Sequence, residues 1–151
     1  PGLGGALRQA EAAGQPFRMV IILAGTNDLS RVYSGAYGLD QVVENIRRLH
    51  EVAHEAGCKT GVVTVPEMKA ERSFKNISAL RVDLNEMLRK YAEENPDSTI
   101  LMDFAKNFTY FSMSNEDRQK YWDDGIHFTA KGYDKMAEII SQYLTTANIS
   151  L

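Results

Sequence analysis

The chain has 151 residues, of which 44% are hydrophobic and 25% are charged, a composition typical of one domain with its own core. Its net charge of −3 and the scattered positions of Lys and Arg argue against a nucleic-acid partner. No apolar run is long enough to span a membrane, and because Cys58 is the single cysteine, no intrachain disulfide can form.

The chain is expected to begin with a short helix and a strand. Residues 2–13 carry apolar side chains at helical spacing, and Gly14 and Pro16 then end the helix. The run from Met19 to Ala24 is apolar throughout and rich in β-branched residues. This pattern is typical of a strand buried on both faces of a parallel sheet.

The residues directly after this strand, Gly25, Asn27 and Asp28 among them, are candidate site residues. The carboxyl ends of parallel strands face the crevice where α/β proteins hold ligands. The same residue types are also typical of a plain turn, which is the alternative interpretation. From Ser30 to Gly38 we expect a loop that could line a pocket.

The middle of the chain predicts a helix capped by Asp40 and ended by Gly57. A strand at 60–65 follows, and then a polar loop at 67–75 on the same side as Gly25, which could form a lid or a pocket wall. The stripe that the helix is expected to bury, at three-four spacing, consists of Val42, Ile46, Leu49, Ala53 and Ala56.

A third helix, capped by Asn76, precedes a strand at 99–102. The aromatic residues between Phe104 and Asp124 are expected to pack in the core, and a short helix should begin at Ser114, where Asp117 completes a capping box. The last helix has Thr129 as its cap and an expected buried face of Tyr133, Met136, Ala137, Ile140 and Leu144.

The alternation of these helices and strands predicts parallel strands joined by right-handed crossovers. The expected fold class is α/β, a three-layer α/β/α sandwich.

One motif suggests zinc chemistry. His50, Glu51 and His54 form a literal HExxH sequence, which on a helix places two imidazoles one turn apart. However, His50 is predicted at the edge of the buried stripe and His54 further round, facing partly solvated surface. Thr60 also stands where one class of zinc peptidase has a third histidine. We therefore expect no metal site, and a zinc peptidase is the least favoured alternative.

A second motif suggests acid–base chemistry. Asp124 precedes His127 by three residues, just before the last helix. This spacing allows the carboxylate to accept a hydrogen bond from one ring nitrogen, leaving the other to act as a base. The positive end of the helix disfavours imidazolium, whereas Asp124 favours it. The plain alternative is a loop histidine bonded to its neighbour for local order.

The segments GTND and DGIHFTAKGYDKMAEII, in these places and with this order of elements, together resemble the SGNH hydrolases, also called GDSL-like esterases and lipases. The resemblance extends over nearly the whole chain. It implies that Asn27 contributes to an oxyanion hole, with Gly25 as its turn residue, and that Asp124 and His127 belong to a Ser-His-Asp triad. Asp28 is expected to hold the Asn27 loop. No cofactor is implied.

The nucleophile of that family is a serine in a Gly-Asp-Ser block upstream of the GTND strand, and another upstream block adds a glycine to the oxyanion hole. This sequence contains neither block, and Ser30 and Ser34 are better interpreted as loop residues. We therefore expect the chain to be the carboxyl-terminal part of such an enzyme. In a flavodoxin-like strand order of 2-1-3-4-5, the strand from Met19 would then be an edge.

An open apolar edge invites pairing with a second copy of the chain or with an upstream fragment. The favoured function is hydrolysis of a small-molecule ester by the parent protein. The main alternative is a catalytically inactive binding module of the same fold.

Overall fold

The computed structural model describes residues 2–148, apart from the side chain of Lys75. Within them, three parallel strands form one sheet in the order β1 (Met19–Leu23), β2 (Lys59–Val63) and β3 (Thr99–Met102). Met19 pairs with Lys59, and Thr60 pairs with Thr99. In the described part of the chain, β1 and β3 are therefore the two edges of the sheet.

Helices cover both faces of this sheet, which confirms the predicted α/β class. A 3₁₀ helix at Lys69–Arg72 follows β2. The α-helices of residues 2–148 are α1 Leu3–Ala12, α2 Thr26–Tyr33, α3 Leu39–Glu55, α4 Lys75–Glu94, α5 Phe104–Asn107, α6 Asn115–Tyr121 and α7 Ala130–Thr146.

Strand β2 separates two hydrophobic cores, because successive side chains of a strand point to opposite faces. Val62 belongs to the core built mainly by α2, α3 and α4, which includes Leu29 and Leu84. Val63 belongs to the core on the other face, where α5 and α7 contribute. Its aromatic members, as predicted, come largely from the segment before the last helix: Phe104, Phe108, Tyr110 and Trp122 are buried there.

The prediction that β1 is buried on both faces was wrong. Ile21, at its centre, is 39% exposed. It lies on the same face as Gly61 and Met102, but α7 packs against β3 at the far side of the sheet and leaves this part of β1 uncovered. An edge strand therefore carries an exposed apolar side chain.

The predicted loop from Ser30 to Gly38 was also wrong in its first part, which continues α2 as far as Tyr33. Gly25 precedes this helix in a left-handed conformation with φ 107°. Leu29 is fully buried against the α3 and α4 core. Burial of that side chain stabilises a short helix that composition alone does not predict.

Two of the four predicted helix caps are correct. The Ser114 hydroxyl accepts a hydrogen bond from the Asp117 amide at 3.0 Å, and the Thr129 hydroxyl accepts one from the Gly132 amide at 3.1 Å. Asp40 and Asn76 instead lie within the first turns of α3 and α4, whose N-cap residues are Gly38 and Phe74.

The predicted buried faces of α3 and α7 are rotated. In α3, His50 is fully buried and Leu49 is 38% exposed, the reverse of the prediction. In α7, Ile139 is buried while Tyr133 is 56% exposed. Gly132 causes part of this difference, because a Cβ atom there would lie 2.1 Å from the Tyr121 carbonyl oxygen. The first turn of α7 thus packs through its glycine and turns Tyr133 outward.

Candidate active site

Gly25 brings the backbone close to the core at the carboxyl end of β1. A Cβ atom on this residue would lie 2.7 Å from Leu84 Cδ2. Because φ is positive and space is lacking, glycine is strongly favoured. Its carbonyl accepts from the amides of Asp28 and Leu29, which starts α2 and places the exposed Asn27 in the first turn of that helix.

Asp28 fixes this turn to the chain further on. Its Oδ1 accepts a hydrogen bond of 2.6 Å from the Tyr37 hydroxyl, and that bond raises the pKa of Tyr37 above its ordinary value. The contact joins the first turn of α2 to the segment before α3. Asp28 thus connects the turn that carries Asn27 to the chain before α3.

The two serines near this turn are bonded within their own helix. The Ser30 hydroxyl donates to the Asn27 carbonyl at 2.9 Å, and the Ser34 hydroxyl donates to the Arg31 carbonyl at the same distance. These are local contacts of a kind that serine commonly makes in and after helices. Neither hydroxyl is paired with an imidazole.

Asp124 and His127 are hydrogen-bonded in an exposed loop before α7. Asp124 Oδ2 accepts from His127 Nδ1 at 2.8 Å, while Oδ1 accepts from the backbone amides of Ile126 and His127, each at 2.8 Å. These bonds fix the imidazole relative to the carboxylate. With Nδ1 as the donor, Nε2 carries the lone pair that a base needs.

The electrostatics of the pair favour the charged forms. Hydrogen bonds from His127, first from its amide and then from its ring, hold the pKa of Asp124 well below its usual range. The hydrogen bond to Asp124, followed by its charge, raises the pKa of His127. Of the influences expected at His127, the adjacent carboxylate is therefore the main one that raises its pKa.

The loop from Asp124 to His127 and the turn at Gly25 lie at the same edge of the sheet. The segment that follows β2 contacts this loop, since the Lys69 amide donates to the Gly125 carbonyl at 2.9 Å. Gly25 follows β1. Because parallel strands present their carboxyl ends together, both predicted motifs belong to the carboxyl edge.

The HExxH residues lie at the opposite, amino edge. His50 Nδ1 and His54 Nε2 both contact the Thr60 hydroxyl, at 2.7 Å and 3.0 Å, and Thr99 Oγ1 lies 3.1 Å from the same oxygen. Thr60 lies near the start of β2, and Thr99 begins β3. The imidazoles thus share a hydroxyl within a buried polar cluster.

Burial lowers the pKa of His50 to about 4, with a smaller effect from His54. The prediction of a solvated His50 was therefore wrong, because its bond to Thr60 draws it into the core. Within residues 2–148, no group of three or more His, Cys, Asp or Glu side chains is arranged to hold a metal ion.

Several polar contacts at the carboxyl edge were missed by the sequence analysis. Glu71 and Arg81 form a buried bidentate ion pair. Asp103, at the end of β3, accepts from Thr64 at 2.9 Å and from Arg89 at 3.0 and 3.1 Å. Burial raises the pKa of Asp103, but the hydrogen bonds from Arg89 and Thr64 outweigh it and lower the value overall.

These contacts could not be predicted from spacing in the sequence, because each joins residues that are 10 to 39 positions apart. A charged residue in a polar loop and another on an amphipathic helix are individually ordinary. In contrast, Asp124 and His127 are three residues apart, so local geometry alone was enough to predict their hydrogen bond.

A parallel α/β sheet with a bonded Asp and His at its carboxyl edge is an arrangement typical of serine hydrolases. The model of the GDSL-like Lipase/Acylhydrolase family matches residues 2–135. The chain therefore belongs to this family, and its three-stranded sheet is part of the SGNH hydrolase fold.

Two crystal structures illustrate the likeness. A GDSL-like lipase from Bacteroides thetaiotaomicron is 26% identical with a TM-score of 0.65, over 95% of this chain and 69% of that one. A catalytic mutant of Axe2, an acetylxylan esterase from Geobacillus stearothermophilus, is 18% identical with a TM-score of 0.62, over 93% and 68%. At 18% identity, the comparison with Axe2 shows similarity of fold only.

No curated protein sequence matches the chain. Among residues 2–148, no helix has the length and apolar character that crossing a membrane requires.

Proposed function

We propose that this chain supplies the acid–base part of a carboxylic ester hydrolase, with a serine nucleophile provided by sequence outside these 151 residues. The observation that carries the proposal is the 2.8 Å hydrogen bond between His127 Nδ1 and Asp124 in a chain of this family. Such a pair activates a hydroxyl group within hydrogen-bond reach of the free ring nitrogen.

In this mechanism, His127 Nε2 takes the proton of the serine hydroxyl as its oxygen attacks the ester carbonyl. Asp124 keeps Nδ1 protonated and stabilises the imidazolium that forms. His127 then gives the proton to the departing alcohol. Water then attacks the acyl-enzyme, with His127 again acting first as base and then as acid, which releases the carboxylic acid and restores the serine.

Asn27 is proposed to stabilise the oxyanion. Its exposed side chain lies in the first turn of α2, so its amide can donate a hydrogen bond near the positive end of that helix. Gly25 permits the turn that places it there, and Asp28 anchors the turn through Tyr37. An oxyanion hole also needs further donors, which we assign to the same outside segment as the serine.

Two observations support the proposal that the serine lies in a segment outside this sequence. The chain spans 69% and 68% of the two neighbours described above, and β1 is an open edge within residues 2–148. The Axe2 structure is a catalytic mutant in which a serine is replaced by alanine, which is consistent with a serine nucleophile in that fold.

The second candidate is a binding module that has no turnover. It is favoured by the bonding of Ser30 and Ser34 to their own helix backbone and by the lack of a Gly-Asp-Ser triplet in the sequence. The test joins this chain to the coding sequence upstream of Pro1 and measures hydrolysis of p-nitrophenyl acetate.

The joined protein should hydrolyse the ester, and His127→Ala should reduce kcat by roughly 10²-fold or more, since general-base catalysis contributes that much. His54→Ala is the matched control, because it removes an imidazole at the opposite edge. Full activity of His127→Ala would contradict the proposed role of His127. Ester binding without turnover in the joined protein would favour the binding module.

A further inference from the structure

The ion pair between Glu71 and Arg81 is the most completely buried charged contact in the described structure. Arg81 Nε donates to Glu71 Oε1 at 2.8 Å and Nη2 donates to Oε2 at 3.0 Å, and the two residues are 8% and 5% exposed. Burying two charges carries a desolvation cost, so such pairs add little stability. Their bidentate geometry, however, fixes two elements in one orientation.

The pair connects α4 to the segment that follows β2. Glu71 Oε1 also accepts a hydrogen bond of 2.8 Å from the Met68 amide. The same carboxylate therefore holds the backbone directly before Lys69. Since Met68 is itself buried, this end of the segment is fixed to the core.

Lys69 in turn contacts the tip of the loop that carries Asp124 and His127. Its amide donates to the Gly125 carbonyl at 2.9 Å, and its side-chain stem covers Gly125 so closely that a Cβ there would lie 2.4 Å from Lys69 Cβ. Gly125 has φ 91°, a conformation that favours glycine. A continuous series of hydrogen bonds thus runs from α4 to this loop.

The contact with Lys69 is made at the tip of the loop, where the contacts within the loop do not reach. Asp124 orients His127 within the loop, and a bridge between Trp122 and Phe128 closes its base. Neither contact sets the position of the loop tip relative to the strand ends. The contact between Lys69 and Gly125 does so, because Lys69 belongs to the segment that follows β2 and is held to the core through Met68 and Glu71.

We propose that Glu71 and Arg81 are positioning residues that hold His127 at the carboxyl edge through Lys69 and Gly125. The effect of these residues on catalysis rests on the proposed function. Their effect on the position of the loop can be measured in the present chain, which contains every residue involved.

The first experiment compares Glu71→Gln with wild-type protein by NMR. We expect the Lys69 amide to exchange with solvent roughly fivefold faster or more, because the hydrogen bond to Gly125 weakens. The titration midpoint of His127 should fall by about 0.3 pH unit or more, because Gly125 lies between Asp124 and His127, and a more mobile Gly125 weakens the hydrogen bond between them. Arg89→Gln is the matched control, since it breaks an ion pair that the same helix makes with Asp103 and leaves the segment around Lys69 unchanged.

The second variant, Lys69→Pro, removes the amide donor and leaves the buried pair intact. Proline is well tolerated at the first position of a helical turn, which Lys69 occupies. Lys69→Pro should lower the titration midpoint of His127 as Glu71→Gln does. It therefore tests the proposal even if Glu71→Gln fails to fold. An unchanged midpoint in Lys69→Pro, or in a folded Glu71→Gln, would overturn the proposal.

The joined enzyme supplies the catalytic readout. There, Glu71→Gln should lower kcat several-fold with little change in KM, while Arg89→Gln should leave both unchanged. An unchanged kcat in Glu71→Gln would contradict the positioning role. A joined wild-type protein that is inactive would contradict the proposed function and leave the NMR measurements as the test of the pair.

Discussion

At the scale of single residues, the hydrogen bond between Asp124 and His127 determines how strong a base His127 is. The bond raises the pKa of His127, so the protonated ring is favoured in the folded protein. The stabilisation that this gives is present below the pKa of the unfolded state and is lost as pH rises through the higher folded value. The basic form, in contrast, appears only as pH rises through that folded value.

We therefore predict that the His127 titration midpoint lies above the ordinary histidine value of about 6.5. Replacing Asp124 with Asn removes the negative charge and should move the midpoint down towards that value. Ring-proton NMR chemical shifts measured from pH 4 to 9 test this directly. Equal midpoints in wild-type protein and Asp124→Asn would show that the carboxylate does not control His127.

Sequence analysis could predict residues whose partners are close along the chain. Asp124 and His127 are three positions apart, and Gly25 directly follows an apolar run, so local geometry predicted both. The bond between Asp28 and Tyr37 spans nine positions and the pair of Glu71 and Arg81 spans ten, with a change of element between them. Such contacts depend on how the elements pack, which spacing does not encode.

At the scale of elements, Asn85 joins α4 to the end of β2. Its Oδ1 accepts from the Val65 amide at 2.7 Å, its Nδ2 donates to the Val65 carbonyl at 2.8 Å, and the side chain is 1% exposed. The amide therefore satisfies both backbone groups of a buried residue beyond the strand.

Asn85→Leu should lower the free energy of unfolding by about 2–4 kcal/mol, because the Val65 amide and carbonyl would be left buried without partners. Urea unfolding followed by circular dichroism measures the change. Asn45→Leu, at an exposed position of α3, is the control and should change stability by less than about 0.5 kcal/mol. A similarly small effect at Asn85 would contradict this account of the contact.

Because His50 is buried, we predict that the free energy of unfolding depends on pH. Its pKa is about 4 in the folded protein and about 6.5 when unfolded, so the folded state excludes the proton. The stability due to neutral His50 is present above pH 6.5 and is lost as pH falls through 4, by about 3 kcal/mol in all. His50→Gln should therefore lose less stability between pH 7 and 4 than wild-type protein does, measured by urea unfolding. Equal losses would mean that His50 titrates normally.

The spacing of apolar residues was not sufficient to predict which faces of the helices are buried. The spacing in α3 placed Leu49 in the core and His50 at its edge, since apolar residues were assumed to define the buried face. The Thr60 hydroxyl at 2.7 Å from His50 reverses this order. Likewise Leu29, buried against α4, stabilises a helix where Gly and Ser residues predicted a loop. Both errors arise from tertiary contacts that override local pattern.

At the scale of the whole molecule, the three parallel strands and the long helices between and after them were predicted correctly, because alternating apolar runs and amphipathic segments specify parallel strands with crossover helices. The short helices α2 and α5 were not predicted. The position of β1 at an edge is consistent with the expected strand order. Two exposed apolar residues, Ile21 in β1 at 39% and Phe17 just before it at 53%, have consequences for assembly.

We predict that the isolated chain self-associates through β1, since an exposed, apolar edge strand favours pairing with another strand. Light scattering should show species larger than a monomer of 16.9 kDa at micromolar concentration. Ile21→Lys should reduce this association, because a charge on an edge strand opposes pairing. Val82→Lys, which changes an exposed apolar residue on α4, should have no effect. A stable wild-type monomer would contradict the prediction.

The proposed function requires that His127 and Asp124 activate a serine that lies outside these 151 residues. A fluorophosphonate probe, which bonds covalently to activated serines, tests it directly. We expect no labelling of the isolated chain, stoichiometric labelling of one serine in the joined protein, and loss of that labelling in His127→Ala. Stoichiometric labelling of the isolated chain at Ser30 or any other of its serines would show that the nucleophile lies within these 151 residues.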